Sequence, residues 1–277
     1  MEAPLLSAED FTRQYAQAVQ SALPTTTVTI EKPLLVYIRS RVGHREATKI
    51  DLTKMWLKCK SDPGKRQATI APSIEAIYNM TNFVDQPLQG EEFIDKIVPL
   101  VRNQTFVQST LASKSKNKKP DAYYEKLFDG LYIVFGIEDP SGIRLLDTYY
   151  VEQRAHIAPI ALRNRAVENI ERILKNKIVI KAEGPIFRVE TESNYEPSLV
   201  VSDKLIHELQ TAVKGRLVVA IPNNAEMFIC GDETPGALVK LKETAAEASN
   251  RGALPISQKL YIRDQGSWKV FTAFDSQ

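Results

Sequence analysis

Histidine and cysteine are scarce here, three and two in 277 residues. That leaves little room for metal or thiol chemistry. His44 sits in the basic turn Arg39-Ser-Arg-Val-Gly-His-Arg45, His156 just ahead of a helix-like run, and His207 inside another. None has a second ligand residue at metal spacing; Glu208, next to His207, points to another side of a helix. A metal hydrolase or a histidine-based triad is therefore poorly supported. Cys59 and Cys230 are far apart and have no CxxC neighbour, so both are expected as free thiols in a reducing cytoplasm.

Charge of one sign is also lacking. Lysine and arginine total 36 against 34 acidic residues, a formal net charge of +2. The two signs are interspersed, which disfavours nucleic acid as a partner. No apolar run approaches a membrane span, and the start Met1-Glu-Ala-Pro-Leu-Leu-Ser-Ala-Glu-Asp10 has no signal-like apolar stretch. The expectation is a cytoplasmic protein with no membrane partner. There is no GxxxxGK[ST], no GxGxxG after a strand, no HExxH and no GxSxG, so no cofactor and no metal is expected.

What is present is an ordinary globular composition, 43% hydrophobic and 25% charged. The clearest interruption is Ser113-Lys-Ser-Lys-Asn-Lys-Lys-Pro120, lysines among small polar residues that can face no core. It reads as an exposed linker or loop between an N-terminal mixed α/β region, 1–112, and a C-terminal α+β domain, 121–277.

In the first region Phe11, Tyr15, Ala18, Val19 and Ala22 form one helical stripe, with Ser7 placed to cap it. Two strands flank the turn Glu31-Lys32-Pro33. Asp51 opens a short helix, and Ile74, Ile77 and Tyr78 mark another. The stretch 95–108 is ambiguous: Pro99 argues against a helix interior, and the β-branched content favours an edge strand.

The second region is more regular. Gly130–Val151 reads as two strands about an Asp139-Pro-Ser-Gly142 turn. A helix beginning near Pro159 carries Ile160, Val167, Ile170 and Leu174 on one face. A hairpin through Gly184, a helix from Asp203, a hairpin through Asn223-Asn224 and a helix after Thr234-Pro235 follow, and a hairpin through Gln265-Gly266 closes the chain. Hairpin followed by helix recurs about every forty residues without residue-level identity. Tight hairpins require antiparallel neighbours. The fold class is therefore α+β: an antiparallel sheet built from hairpin-helix units with helices mainly on one face, plus the smaller N-terminal region.

The carboxylate pairs Glu91-Glu92, Glu138-Asp139 and Asp232-Glu233 lie at helix starts or turns, where structure explains them. The stretch Glu192-Ser-Asn-Tyr-Glu-Pro-Ser-Leu-Val-Val-Ser-Asp203 is harder to dismiss. Ser202 is placed to cap the next helix, Asp203 suits that helix's positive end, and Pro197 extends Glu196. Tyr195 and Glu196 are left without a structural role, with Ser198 beside them. On that reading Glu196→Ala costs little stability.

Collinear segments carry a resemblance. Glu196-Pro-Ser-Leu199, the strand Val219-Ala-Ile-Pro222, the late Leu254-Pro-Ile-Ser257, the helix Ala161–Ile173 with Asn169, and Pro99-Leu-Val-Arg102 resemble an uncharacterised bacterial family, a domain-of-unknown-function family typified by YtpQ. The match runs from about Lys96 to Phe271. It implies a bacterial cytoplasmic protein and brings no established reaction.

Two readings from different classes stay open. One is a non-catalytic binding or interaction module for an unknown protein or small ligand. The other is an enzyme of unassigned class with Glu196, Arg102 and Asn169 meeting in a cleft. Arg102, Asn169, Tyr195, Glu196 and Ser198 are the candidate site residues.

Lysine-rich stretches that bury nothing open readily to proteases. Brief trypsin treatment should cut first within 113–120 and leave two stable fragments; a first cut elsewhere, with this stretch intact, would displace the boundary.

Overall fold

A computed structural model describes residues 6–40, 48–82, 94–112, 122–139, 142–146, 151, 157–264 and 266–272. The segment 113–120, His44 and its turn, Glu91-Glu92, Pro140-Ser141, His156 and Gln265 lie outside them. The chain divides into two compact units. One comprises 1–87 with 140–142 and 252–254; the other comprises 88–139, 143–251 and 255–277.

The first unit is a helix on a small sheet. Helix α1 spans Ala8–Ala22, and Ser7 accepts from the Asp10 amide at 3.0 Å, capping it as the sequence implies. Strands β1 (Thr26–Lys32), β2 (Leu35–Ser40) and β3 (Thr48–Asp51) form an antiparallel sheet in that order. Leu34, in the turn between β1 and β2, adopts a left-handed φ of 63° yet is fully buried. Its amide donates to Thr12 Oγ1 at 2.7 Å, which holds the turn on α1. Helices α2 (Thr53–Ser61) and α3 (Arg66–Asn82) complete the unit. Asp51 does act at the start of α2, accepting from the Thr53 amide at 2.7 Å. Phe11, Tyr15, Val19, Leu35, Ile38, Leu52 and Ile77 form the core, to which Ala253 returns from late in the chain.

The second unit holds two antiparallel sheets. In the smaller, β4 (Ile97–Asn103) pairs with β6 (Leu131–Asp139), which also pairs with β5 (Tyr124–Lys126) and β7 (Gly142–Leu145). β4 lies at the edge, where Pro99 is tolerated. It runs straight into α4 (Gln104–Ala112), which the sequence pattern does not reveal; Asn103 accepts from the Phe106 amide at 2.8 Å and caps it. Helix α5 (Pro159–Leu174) packs on β4. Its buried stripe is Leu162, Ala166, Ile170 and Leu174, an i, i+4 run. Ile160, expected on that face, is 66% exposed although Leu162 in the same turn is fully buried: the buried stripe runs through Leu162 and Ala166, around the helix from Ile160.

The larger sheet orders β13 (Ser267–Val270), β12 (Leu260–Asp264), β10 (Leu217–Asn223), β11 (Glu226–Gly231), β9 (Ile186–Glu190) and β8 (Val179–Glu183). Every residue of β10 and β11 is buried. Alternate residues explain why. Val218, Ala220, Phe228 and Cys230 meet helix α7 (Ala237–Arg251). Leu217, Val219, Ile221, Met227 and Ile229 meet the opposite layer, where a 3-10 segment (Glu196–Val201), helix α6 (Asp203–Gln210) and residues of β4 gather. The α+β class with antiparallel sheets is the architecture observed.

The turn through Asn223-Asn224 departs from expectation. Neither residue takes a positive φ. Asn223 shapes the turn with its side chain, accepting from the Ala225 amide at 2.9 Å and donating to Glu226 Oε2 at 2.8 Å.

Cys59 and Cys230 are both free and buried. Burial pushes the Cys230 thiol up to about 12, with Asp232 adding to the effect.

Gly231 ends β11 where the loop after α6 crosses it. A Cβ there would lie 1.7 Å from the Lys214 carbonyl oxygen, a backbone atom that cannot turn aside. Gly231→Ala should therefore cost about 1–3 kcal/mol, the range for overpacking. Denaturant midpoints should show it against Gly184→Ala, whose Cβ meets nothing within 4 Å and whose cost comes only from φ +69°.

Candidate functional site

Four of the five sequence candidates sit on elements that pack together, and the fifth does so through its helix. β4 carries Arg102, the 3-10 segment with Tyr195 at its start packs against β4, and α5 carries Asn169. What each side chain does there is a separate matter.

Tyr195, Glu196, Pro197, Ser198, Leu199 and Val200 are all buried. The stretch is an interior corner. Glu196 Oε1 accepts from the Thr191 amide at 2.8 Å. The Thr191 hydroxyl lies 3.0 Å from the same oxygen and also reaches the Ser193 carbonyl; its one hydrogen serves them in turn. Glu196 therefore closes the turn between β9 and the 3-10 segment. This corrects the expectation that Glu196 has no structural role. The turn folds its far end back onto an amide five residues earlier, which no linear pattern displays. Pro197 occupies the first turn of the 3-10 segment, where its missing N–H costs nothing. The Ser198 amide donates to the Tyr195 carbonyl at 2.9 Å.

The Tyr195 hydroxyl is buried and faces Glu138. Burial raises its pKa far above that of an ordinary tyrosine, and the nearby negative charge of Glu138 raises it further. It stays protonated and cannot act as a base at neutral pH.

Asn169 Nδ2 donates to the carbonyls of Ile94 at 2.8 Å and Ile97 at 2.9 Å, and its Oδ1 accepts from Arg172 at 3.3 Å. It pins α5 to the start of β4. Arg102 donates to the Val101 carbonyl at 2.8 Å, and its guanidinium lies 5.3 Å from the centre of the Phe106 ring. Ser202, fully buried, accepts from the Leu205 amide at 3.1 Å and donates to Glu171 at 2.5 Å.

Two constellations escaped sequence reasoning. Glu226, 2% exposed, accepts from Arg188 at 3.1 Å and Arg251 at 2.5 Å through Oε1 and from Asn223 at 2.8 Å through Oε2. Arg188 also bonds Glu183 at 2.6 Å and lies 4.9 Å from the Phe228 ring centre. No local pattern could reveal this, since the partners span four elements.

The second was foreshadowed by Asp129-Gly130, a hairpin dipeptide. Asp129 at φ 41° and Gly130 at φ 73° make the tight turn between β5 and β6. That turn delivers Asp129 to Lys259 at 2.9 Å and Phe128 to Tyr261 and Trp268, at ring-centre distances of 5.1 and 5.7 Å. Ser257 Oγ and the Tyr261 hydroxyl lie 2.7 Å apart, and Tyr261 also donates to Asp129 at 3.5 Å. Burial pushes Tyr261 up to about 12, with Asp129 contributing, against the lowering effect of Ser257. A phenol so hard to ionise does not activate the serine. The cluster offers neutral hydroxyls and a paired charge, suited to holding rather than to proton transfer.

Beside it, where β12 and β13 pass α7, lies a groove of about 220 Å³. Lys242, Gln258, Lys259, Leu260, Val270, Phe271 and Thr272 line it, two cations and three apolar side chains with no carboxylate.

Among the described residues no three histidine, cysteine, aspartate or glutamate side chains gather as a metal site. Among them, too, no helix is long and apolar enough to cross a membrane. No family model and no solved structure matches the chain. It is similar to a UPF0354 protein of Staphylococcus saprophyticus, 21% identical over 203 residues that cover 70% of this chain and 67% of the other. The similarity is distant, and that protein's name states no activity.

Glu196→Ala should cost about 1–3 kcal/mol, the penalty for orphaning buried partners. Ser202→Ala should cost at least about 1 kcal/mol, because it removes a cap and also strands Glu171. Urea midpoints of both variants decide it; a Glu196→Ala protein as stable as the parent would return Glu196 to the set of functional residues.

Proposed function

We propose that this is a bacterial cytoplasmic protein of the uncharacterised family typified by YtpQ, and that it works as a non-catalytic binding or interaction module. The observation that carries the reading is the shape and lining of the groove beside β12. At about 220 Å³ it falls below the roughly 300–1,000 Å³ of clefts that enclose a small substrate. Its lysines and apolar floor suit contact with a partner's surface or with a small anionic ligand.

The titratable groups support the same reading. Tyr195 and Tyr261 are held protonated by burial. Glu226 lies between two arginines, and Glu196 closes a turn. None of these groups is poised for acid-base or nucleophilic work. The distant likeness to a UPF0354 protein fits a bacterial family without adding a reaction.

The chain, purified at native level from its host and measured by native mass spectrometry, should carry a protein or small ligand at fixed stoichiometry. Recovery of the bare chain alone would overturn the binding reading. Chemical conversion of a co-purified molecule on incubation would overturn its non-catalytic half.

A further inference from the structure

The edge of the larger sheet farthest from the groove is β8. Among the described strands it pairs with β9 alone, in a register unbroken from Val179↔Glu190 to Glu183↔Ile186. Gly184 and Pro185 make a two-residue turn, so Glu183 and Ile186 are the pair that closes the hairpin and exchanges bonds. In an antiparallel ladder bonded and unbonded pairs alternate. Lys181 and Val179 therefore bond β9. Ala182, Ile180 and, one step before the strand, Ile178 turn their N–H and C=O away from it. Edges of this kind are ordinarily guarded by a proline, a bulge or a charge projecting over them. β8 has no proline and no bulge. Its charged side chains are drawn back to β9, Lys181 to Glu190 at 2.6 Å and Glu183 to Arg188 at 2.6 Å. Val179 is left 50% exposed between them and the start of the strand.

We propose that β8 pairs antiparallel with β8 of a second copy of this chain, about a two-fold axis at Ile180. The strand's own order of residues selects that occupant and that register. With Ile180 opposite itself, Ile178 meets Ala182, Val179 lies along the stem of Lys181, and Lys177 faces Glu183. Apolar meets apolar, and a cation meets a carboxylate at each end. Other registers fail. Centred on Val179, the pair would set Lys177 against Lys181; centred on Lys181, that lysine against itself; centred on Ile178, Lys175 against Lys181. Like charges directly opposite are destabilising. Centred on Ala182, it would run Ile180 and Val179 onto the Gly184-Pro185 turn. The ion pairs inside each hairpin stay in place. Glu183 keeps Arg188 and Lys177 keeps Glu192, at 3.7 Å, so the new contacts extend two existing rows across the axis. The two-fold uses up both β8 edges, which closes that contact at two copies. A five-residue strand from each copy buries far less than the roughly 800 Å² a side of a standard interface, so the dimer dissociates on dilution.

Sedimentation velocity of the full chain should show monomer passing into dimer as concentration rises. Lys177→Glu sets glutamate against Glu183 at both ends of the pair, and Glu183→Lys sets lysine against Lys177. Each variant alone should dimerise about ten-fold more weakly than the parent. An equal mixture of the two restores a cation opposite a carboxylate at both ends, and should dimerise as the parent does. A merely structural role for either residue would not produce that recovery. Ile180→Pro removes an N–H that only the second copy uses, and should abolish the dimer with little change in the denaturant midpoint. If Glu183→Lys or Ile180→Pro fails to fold, Lys177→Glu, whose partner Glu192 is the looser one, carries the test alone. A chain monomeric at every concentration, a dimer indifferent to Lys177→Glu, or a mixture no stronger than its two components would overturn the proposal. The binding reading above is independent of it. A monomeric chain that retains another protein or a small ligand would overturn this assignment and leave that reading standing.

Discussion

The second unit depends on the β10–β11 hairpin being buried on both faces. Its two strands face either α7 or the layer of the 3-10 segment and α6, and no position in them reaches solvent. Such a hairpin must end without exposing apolar surface or stranding polar atoms. Glu226 solves this. It is a carboxylate in the interior, and its desolvation would cost several kcal/mol without partners. Arg188 from β9, Arg251 from the end of α7 and Asn223 from β10 supply them. One charge thereby ties three neighbouring strands to the helix that covers them. Asn223 also donates to the Ala248 carbonyl at 2.9 Å, a second tether between the turn and α7. Removing Glu226 would take from Arg251 the carboxylate it pairs with and from the turn its anchor.

The same logic governs the other polar residues of this unit. Asn169 satisfies two carbonyls at the start of β4, Ser202 caps α6 while holding Glu171, and Glu196 closes its turn. Residues of types that do chemistry elsewhere here satisfy backbone groups that packing would otherwise orphan. What this leaves for function lies at the margins of the larger sheet. There the strand order ends, and side chains from β12, β13 and α7 form a shallow lined surface. The proposed binding role rests on that distribution.

Much of the fold could be read from the chain. The stripe of Phe11, Tyr15 and Val19, the Ser7 and Ser202 caps, Pro159 at a helix start and the glycines at 184 and 266 are local signals. Each fixes a backbone conformation within a few residues of itself. They delivered the hairpins, most of the helices and the antiparallel α+β class. The misses were of two kinds. α4 was hidden because β4 runs into it without a break, with Asn103 serving as strand end and cap at once. Ile160 was misassigned because the apolar residues of this helix spread over more than one side, and packing took the stripe through Leu162 and Ala166.

The candidate site was less legible. The sequence by itself determined which residues are polar beside a turn, that the chain lacks cofactor and metal motifs, and where strands alternate with helices. Whether Glu196 is exposed or buried, whether Arg188 finds Glu226, and whether Asp129 meets Lys259 and Tyr261 were decided only when distant segments packed. Those contacts join residues up to 132 positions apart. The physical reason is range. Helix and hairpin signals act through bonds within one turn, whereas desolvation and ion pairing depend on what the rest of the chain places alongside, and that is a property of the assembled fold.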